Sequence, residues 1–467
     1  MLIQDIRRIL ALAGPLLAGQ LAVIGFGVID TMMSGRASAE DLAAIGLGSS
    51  IYITVYISLT GVLQALAPIA AQLYGAGQLR QIGEEVRQSA WLALALAVPG
   101  VLLLLFPGPI LSLADTPPAL TGKVERFLHL TAFGLPAALG FRVYQAINNA
   151  LSRPIMVTLL QVGGLALKVP LNAWFIYGGL GIAPMGGPGC ALASTVIAWG
   201  WCLTGIAILY RGNAYQALEI FNRWSAPRRA SLLALLRLGV PMGMTYLIEI
   251  TSFTLMALFI ARLGTLSLAG HQIAANIGAV VYMVPLSLAI ATSVLVAQAV
   301  GARRFEEARR TAWSSIIFAV ALAAVLGIAL WLGRTAILQM YSNDAAVITA
   351  ALPLVAFIAL YQLADAVQIM AAFILRAYKI ALVPTVIYAL SLWGIGLGGG
   401  YVLGFGLIDG TPSFLHGATG FWAANGTSLA VAGLLLVGYF RRVSSQACAE
   451  ALASSGTSVD PKRATEA

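Results

Sequence analysis

The sequence predicts an all-α integral membrane protein, with twelve transmembrane helices in two six-helix bundles related by a parallel internal repeat. Three observations carry this. Of 467 residues, 60% are hydrophobic and only 10% charged, with a mean hydropathy of +0.89, whereas a soluble domain carries about a quarter charged residues. Apolar runs of 20 or more residues recur from Ile9 to Phe440, each long enough to cross a hydrocarbon core of roughly 30 Å at 1.5 Å per residue. The chain also resembles itself at a fixed separation.

The spans read from these runs are 9–33, 43–71, 89–113, 124–150, 155–178, 187–210, 234–262, 267–299, 311–333, 345–375, 381–405 and 416–440. Arg7 and Arg8 precede the first, as in a signal peptide, but no small-residue cleavage site leads into a soluble mature domain. It is therefore read as the first transmembrane helix. An even number of spans puts both termini on one side. Of the 27 Lys and Arg, 20 fall in the termini and one set of alternate loops, and only Arg36, Lys123, Arg126, Arg262 and Arg334 in the other. The positive-inside bias makes the richer side cytoplasmic. The net charge of +9 is thus a topology signal, and nucleic-acid binding is excluded. The expected location is the bacterial inner membrane.

The repeat is read from ordered matches. Leu10 to Pro15 aligns with Leu236 to Pro241 at an offset of 226, which also brings Gln72 and Gly75 onto Gln298 and Gly301. The run Glu84 to Trp91 reads against Glu306 to Trp313 at an offset of 222. Further on, Asp115 answers Asp344, Gln145 with Arg153 answers Gln368 with Arg376, and Gly186 with Gly189 answers Gly417 with Gly420. The expected partition is an N-terminal lobe over 1–210, a cytoplasmic linker over 211–233, a C-terminal lobe over 234–440 and a disordered cytoplasmic tail over 441–467. Two bundles of six helices suit alternating access, in which the lobes rock about a site near the bilayer midplane.

Ionisable groups at bilayer depth cost at least about 2.5 to 3.5 kcal/mol on insertion scales, so each needs a reason. Among the 18 acidic residues, Asp30, Glu249 and Asp365 alone sit within long apolar stretches. Helical spacing puts Tyr361, Gln362 and Gln368 on the face of Asp365. Its oxygens suit Na⁺, and a carboxylate in low dielectric equally suits H⁺. Glu249 has Thr245, Tyr246, Ser252 and Phe253 one turn away and Met242, Met244 and Met256 nearby. Carboxylate, aromatics and thioethers together fit a pocket for lipophilic cations. Asp30, in the run Gly25 to Gly35, reads either as a solvated helix-end acid or as a buried site. The intramembrane bases Arg142 and Lys168 read as helix fasteners paired with these acids, or as gating groups.

At these residues the chain resembles the multidrug and toxic compound extrusion (MATE) family, in its NorM-type bacterial members, from about Arg7 to Tyr439. The motifs are Val28 to Gly35, Ala67 to Gly77, Pro170-Leu171-Asn172, Glu249, Ala269 to Ala274 and Tyr361 to Gln368. The resemblance implies a multidrug efflux antiporter that confers antibiotic resistance, exporting organic cations in exchange for inward Na⁺ or H⁺ and needing no cofactor. Carried over residue by residue, it implies a C-lobe cation site of Glu249, Tyr361 and Asp365, which would ligate Na⁺ under sodium coupling. It implies an N-lobe polar site of Asp30 and Asn172. The further substrate-binding candidates are Tyr246, Phe253, Gln272, Asn276, Gln362 and Gln368. Lys168 departs from the pattern, and a base there gives the N-lobe a counter-charge of its own, against a Na⁺ site in that lobe. The protein is expected to act as a monomer in the lipid bilayer.

Other classes fit less well. A lipid-linked oligosaccharide flippase of the same superfamily needs cations to grip a pyrophosphate, whereas the C-lobe centre is acidic. The loop from Tyr74 to Arg87 lacks the Gly/Asp/Arg pattern of a major-facilitator transporter, and no repeated filter sequence suggests a channel. An enzyme has nothing to rest on, since His129, His271 and His416 are isolated and no nucleophile sits beside a base. Cys190, Cys202 and Cys448 have no metal-ligand spacing and read as small packing residues.

Overall fold

The computed structural model describes residues 2–113, 117–179, 181–222, 225–408, 410 and 412–456. Asp115, Arg223, Lys462 and Arg463 therefore lie outside the described residues. The helices are α1 (Leu2–Ala37), α2 (Ala39–Leu63), α3 (Leu66–Gly75), α4 (Leu79–Leu105), α5 (Gly108–Leu113), α6 (Pro118–Ala150), α7 (Pro154–Tyr177), α8 (Gly189–Arg211) and α9 (Asn213–Gln216). They continue as α10 (Arg229–Ala261), α11 (Thr265–Gly301), α12 (Phe305–Tyr341), α13 (Ala345–Ala377), α14 (Leu382–Tyr388), α15 (Gly400–Gly404) and α16 (Ala418–Gly456).

Among the described residues, eleven stretches are long and apolar enough to cross a membrane. The twelfth span, α6, has 33 residues but carries Lys123, Glu125, Arg126 and Arg142, so length identifies it where composition does not. Two spans are broken. Gln64 and Ala65 interrupt the second between α2 and α3, and a π-helical segment over Ala389–Gly399 joins α14 to α15. That segment is glycine-rich, and at Gly396 an added Cβ would lie 3.1 Å from Ser428 Oγ, so absence of a side chain lets it close on α16. Helix starts follow the sequence. Ser38 caps α2 by accepting from the Asp41 N–H at 2.9 Å, Asp344 caps α13 by accepting from the Ala346 N–H at 2.8 Å, and Pro118 and Pro154 open α6 and α7, where the missing N–H costs nothing.

The repeat is visible in the helix ends. Gly77 and Arg303 both adopt positive φ, 71° and 58°, and the residues after them, Gln78 and Arg304, donate to Leu73 O at 2.9 Å and Ala299 O at 2.8 Å. Ser152 and Lys379 form a second such pair, with φ of 59° and 60°. Gly186 and Gly417 form a third, with φ of 64° and 79°, and Gly189 and Gly420 donate back to them. The third pair agrees with the sequence match, but two others correct it. Gln78 and Arg304 start α4 and α12 with nearly the same backbone, φ −88°, ψ 59° and φ −93°, ψ 65°. Glu84 is therefore equivalent to Arg310, not to Glu306. Likewise Leu151 answers Tyr378, so Arg153 is not the equivalent of Arg376. Both sequence matches are one helical turn out of register, a slip that leaves the buried face of a 3.6-residue helix almost unchanged.

Two compact units result, and they do not divide at the linker: one comprises residues 1–10, 75–77 and 252–467, the other 11–74 and 78–251. The first ten residues thus group with the second-half helices. Asp5 pairs with Arg310 at 3.1 Å and Arg8 with Glu307 at 3.4 Å. The start of α10 groups with the first half, because small residues let α10 and α2 touch: a Cβ at Gly61 would lie 2.6 Å from Gly243 Cα. The linker is held by α4, where Arg87 donates to Glu219 O at 2.7 Å, to Ile220 O at 2.9 Å and to Ser225 Oγ at 3.0 Å. The predicted disordered tail is also corrected, since α16 continues as a helix through Gly456. Its Cys448 is 6% exposed and Ser444 1%, so a buried face persists beyond Arg441. The remaining tail residues lie outside the described ones.

Candidate functional site

In the unit built mainly from the first half, three helices converge on one ion pair. Lys168 and Asn172, four residues apart, share a face of α7, and Cys190 and Ser194 share a face of α8. The Lys168 ammonium lies 2.9 Å from Asp30 Oδ1 of α1. It also donates to Cys190 O at 2.9 Å and to Ser194 Oγ. The Lys168 side chain is 0% exposed and that of Asp30 18%, so Asp30 is not a solvated helix-end acid. Asn172 Nδ2 donates to the same Oδ1 at 2.7 Å, while its own Oδ1 is buried with no hydrogen-bond partner among the described residues. The face of Phe26 closes one side, with Lys168 Nζ 5.6 Å from the ring centroid. Pro170, two residues on, interrupts the hydrogen-bond ladder of α7 beside the pair. The structure therefore brings Asp30 and Asn172 together and adds Lys168, Cys190 and Ser194.

Arg142 takes neutral partners. It donates to Tyr56 Oη at 3.0 Å and Gln145 Oε1 at 2.8 Å, with its guanidinium 5.4 Å from the Tyr56 centroid. Among the described residues no carboxylate lies within ion-pair distance of it, so the helix-fastening role by pairing with an acid falls to Lys168. Glu249 and Tyr246, on α10, belong to this unit. Glu249 is half-buried, and Tyr246 donates from its hydroxyl to Gln64 Oε1 at 3.1 Å, at the break between α2 and α3.

In the other unit, α13 presents a buried polar strip. Tyr361, Gln362, Asp365 and Gln368 are 9%, 1%, 2% and 3% exposed, in a 33-residue helix that is otherwise apolar over its central turns. The Nε2 of Gln362 is buried without a hydrogen-bond partner among the described residues, as is Thr292 Oγ1 on α11. The Tyr361 ring packs edge-on against Trp422 of α16 at 5.8 Å. Trp422 in turn donates to His271 Nδ1 of α11 at 3.2 Å, and Phe253 lies 6.5 Å from it. His271 and Trp422 are 2% and 1% exposed. His271 is thus not isolated, although no spacing in the sequence pairs it with Trp422. Gln272 and Asn276 lie on the exposed face of α11, where Asn276 accepts from the Tyr341 hydroxyl at 2.8 Å. Among the described residues no group of three or more His, Cys, Asp or Glu has the geometry to hold a metal ion. A site for a monovalent cation would have to draw on hydroxyl and amide oxygens as well as carboxylate.

A repeat of six-helix halves, apolar on its surface and with acids buried in both, defines a membrane transporter rather than an enzyme. The chain belongs to the MatE family, whose model matches residues 15–174 and 241–402, one segment in each half. It is 42% identical over 431 residues to a probable multidrug resistance protein NorM of Aromatoleum aromaticum, covering 92% of each chain. It is 39% identical over 401 residues to the multidrug resistance protein PmpM of Pseudomonas aeruginosa, covering 86% of this chain and 84% of that one. The fold matches the crystal structure of the eukaryotic MATE transporter AtDTX14 with a TM-score of 0.85 at 18% identity, over 96% of this chain and 99% of that one. The protein is accordingly a NorM-type MATE transporter.

Proposed function

We propose that the protein is a multidrug efflux antiporter of the bacterial inner membrane, exporting lipophilic organic cations in exchange for inward Na⁺ or H⁺, with both termini cytoplasmic. The observation that carries this is the strip on α13, where Asp365 is 2% exposed beside the leftover donor of Gln362. A carboxylate at that depth attracts cations strongly, and a coupling cation and an organic cation are alternative ligands for it. Tyr361 is an oxygen ligand beside Asp365, and Glu249, on α10, is a second candidate coupling carboxylate. Tyr246 and Phe253 offer aromatic faces to the lipophilic cation, and Gln362 and Gln368 offer polar contacts. Binding of the coupling cation weakens binding of the drug, and this differential affinity, different in the two access states, drives the cycle. The names of the relatives support multidrug export. The flippase alternative loses support because Lys168 is engaged by Asp30 and Arg142 by Tyr56 and Gln145, which leaves no free cation at either position for a pyrophosphate.

The test is export of a fluorescent organic cation from proteoliposomes under separately imposed Na⁺ and H⁺ gradients. One gradient is expected to drive export, and Asp365→Asn to abolish it. Export that neither gradient accelerates, or that Asp365→Asn leaves intact, removes the antiport reading.

A further inference from the structure

The oxygens around Lys168 Nζ form a cation shell. Three protons meet three acceptors, namely Asp30 Oδ1 at 2.9 Å, Cys190 O at 2.9 Å and Ser194 Oγ, and the Phe26 face covers a further side at 5.6 Å. The base itself is fully buried, so these protein oxygens stand in for its hydration shell. A hydrogen-bonded ammonium and a potassium-sized ion demand much the same oxygen distances. A lysine meant only to fasten helices needs one good contact, whereas this one has every donor satisfied by a different helix or turn.

We propose that Lys168 is a tethered cation: its ammonium permanently fills the carboxylate site formed by Asp30, Cys190 and Ser194, so that this site takes no external cation, and removing the ammonium opens it to one. The proposal deepens the antiport reading by confining cation exchange to Glu249 and Asp365, but the site itself can be tested without transport. Asn172 belongs to the same device. Its amide donates to Asp30 Oδ1 at 2.7 Å, the atom that also faces Lys168, and so fixes the carboxylate toward the ammonium.

The experiment uses the full-length protein in detergent. Lys168→Ala removes the fragment that n-propylammonium reproduces, so thermal unfolding of wild type, Lys168→Ala and the double variant Asp30→Asn, Lys168→Ala is followed against n-propylammonium chloride, with tetramethylammonium chloride as the equal-charge control. A saturable rise in midpoint is expected for Lys168→Ala with n-propylammonium only, and for neither of the other proteins. A Lys168→Ala response no different from wild type, or one that survives loss of Asp30, overturns the assignment. Where Lys168→Ala does not fold, Lys168→Met and the double variant Asp30→Asn, Lys168→Met decide. The single variant leaves a buried acid without its cation, so the double variant is expected to unfold at a higher temperature. A double variant no more stable than the single one overturns the proposal equally. Because neither readout involves export, a failed antiport assay and a failed tether are separate results.

Discussion

Glu84 of α4 and Arg310 of α12 occupy equivalent positions in the two halves and carry opposite charges. Each holds the chain segment that leads into the first helix of a half. Glu84 accepts from Arg228 at 3.4 Å, just ahead of α10, and Arg310 pairs with Asp5 at 3.1 Å, at the start of α1. The two clasps differ in depth. Arg87 lies beneath Glu84 with a 15% exposed side chain and ties down the carbonyls of Glu219 and Ile220, whereas Arg310 is 43% exposed.

This difference in burial sets the first prediction. Arg87→Ala leaves two linker carbonyls and Glu84 Oε2 without their donor, at about 2 to 3 kcal/mol, while Arg310→Ala takes one partner from Asp5, whose side chain is 6% exposed, at about 1 to 2 kcal/mol. Thermal unfolding of the purified protein should show a larger drop for the first than for the second. Equal drops would mean that the pseudo-equivalent clasps are energetically equivalent too.

Much of this was legible in the sequence, for a reason that fails at identifiable places. Apolar length found the spans because lipid requires it. Asp30 and Asp365 stood out because charge in a long apolar stretch is rare. The clasps were misaligned by one turn, since a helix slipped by four residues buries nearly the same face. The broken second span and the π-helical segment were missed because both remain apolar. The Asp30 to Lys168 contact depended on how α1 and α7 are rotated, and spacing within either helix says nothing of that. Ser194 went unmarked and Cys190 was read as packing, because a serine and a backbone carbonyl look like packing until a cation faces them.

Backbone contact between α2 and α10 gives a second prediction. A Cβ at Gly239 would strike the Val62 carbonyl, which cannot move aside, whereas one at Gly14 would meet nothing within 4 Å. Gly239→Ala is expected to destabilise by about 1 to 3 kcal/mol, and Gly14→Ala, which leaves packing alone, to be neutral or slightly stabilising. Unfolding midpoints of the two variants against wild type check this.

Trp422 is the hub of the aromatic cluster against Tyr361, His271 and Phe253. Trp422→Phe keeps a ring but removes the donor to His271 Nδ1, so a loss of about 1 to 2 kcal/mol is expected. Trp422→Ala also opens a cavity, at about 3 to 5 kcal/mol. If Tyr361 depends on this wall for its placement, Trp422→Phe should weaken binding of a fluorescent organic cation less than Trp422→Ala does. Equal affinities in both variants would detach Tyr361 from the binding site.

The last prediction concerns pH. An organic cation bound to a carboxylate competes with protons, so lowering the pH protonates the acid, removes its charge and weakens binding; raising the pH restores it. For the purified wild-type protein, the apparent affinity for a permanently charged cation such as tetraphenylphosphonium should therefore fall as pH falls. The probe itself does not titrate, so the dependence belongs to the protein. Asp365→Asn removes one titrating group and should both lower affinity and flatten the slope, whereas Arg310→Ala, a change at the exposed clasp, should leave the slope unaltered. An unchanged slope in Asp365→Asn would assign the competition to a different acid, with Glu249→Gln then the variant that must flatten it.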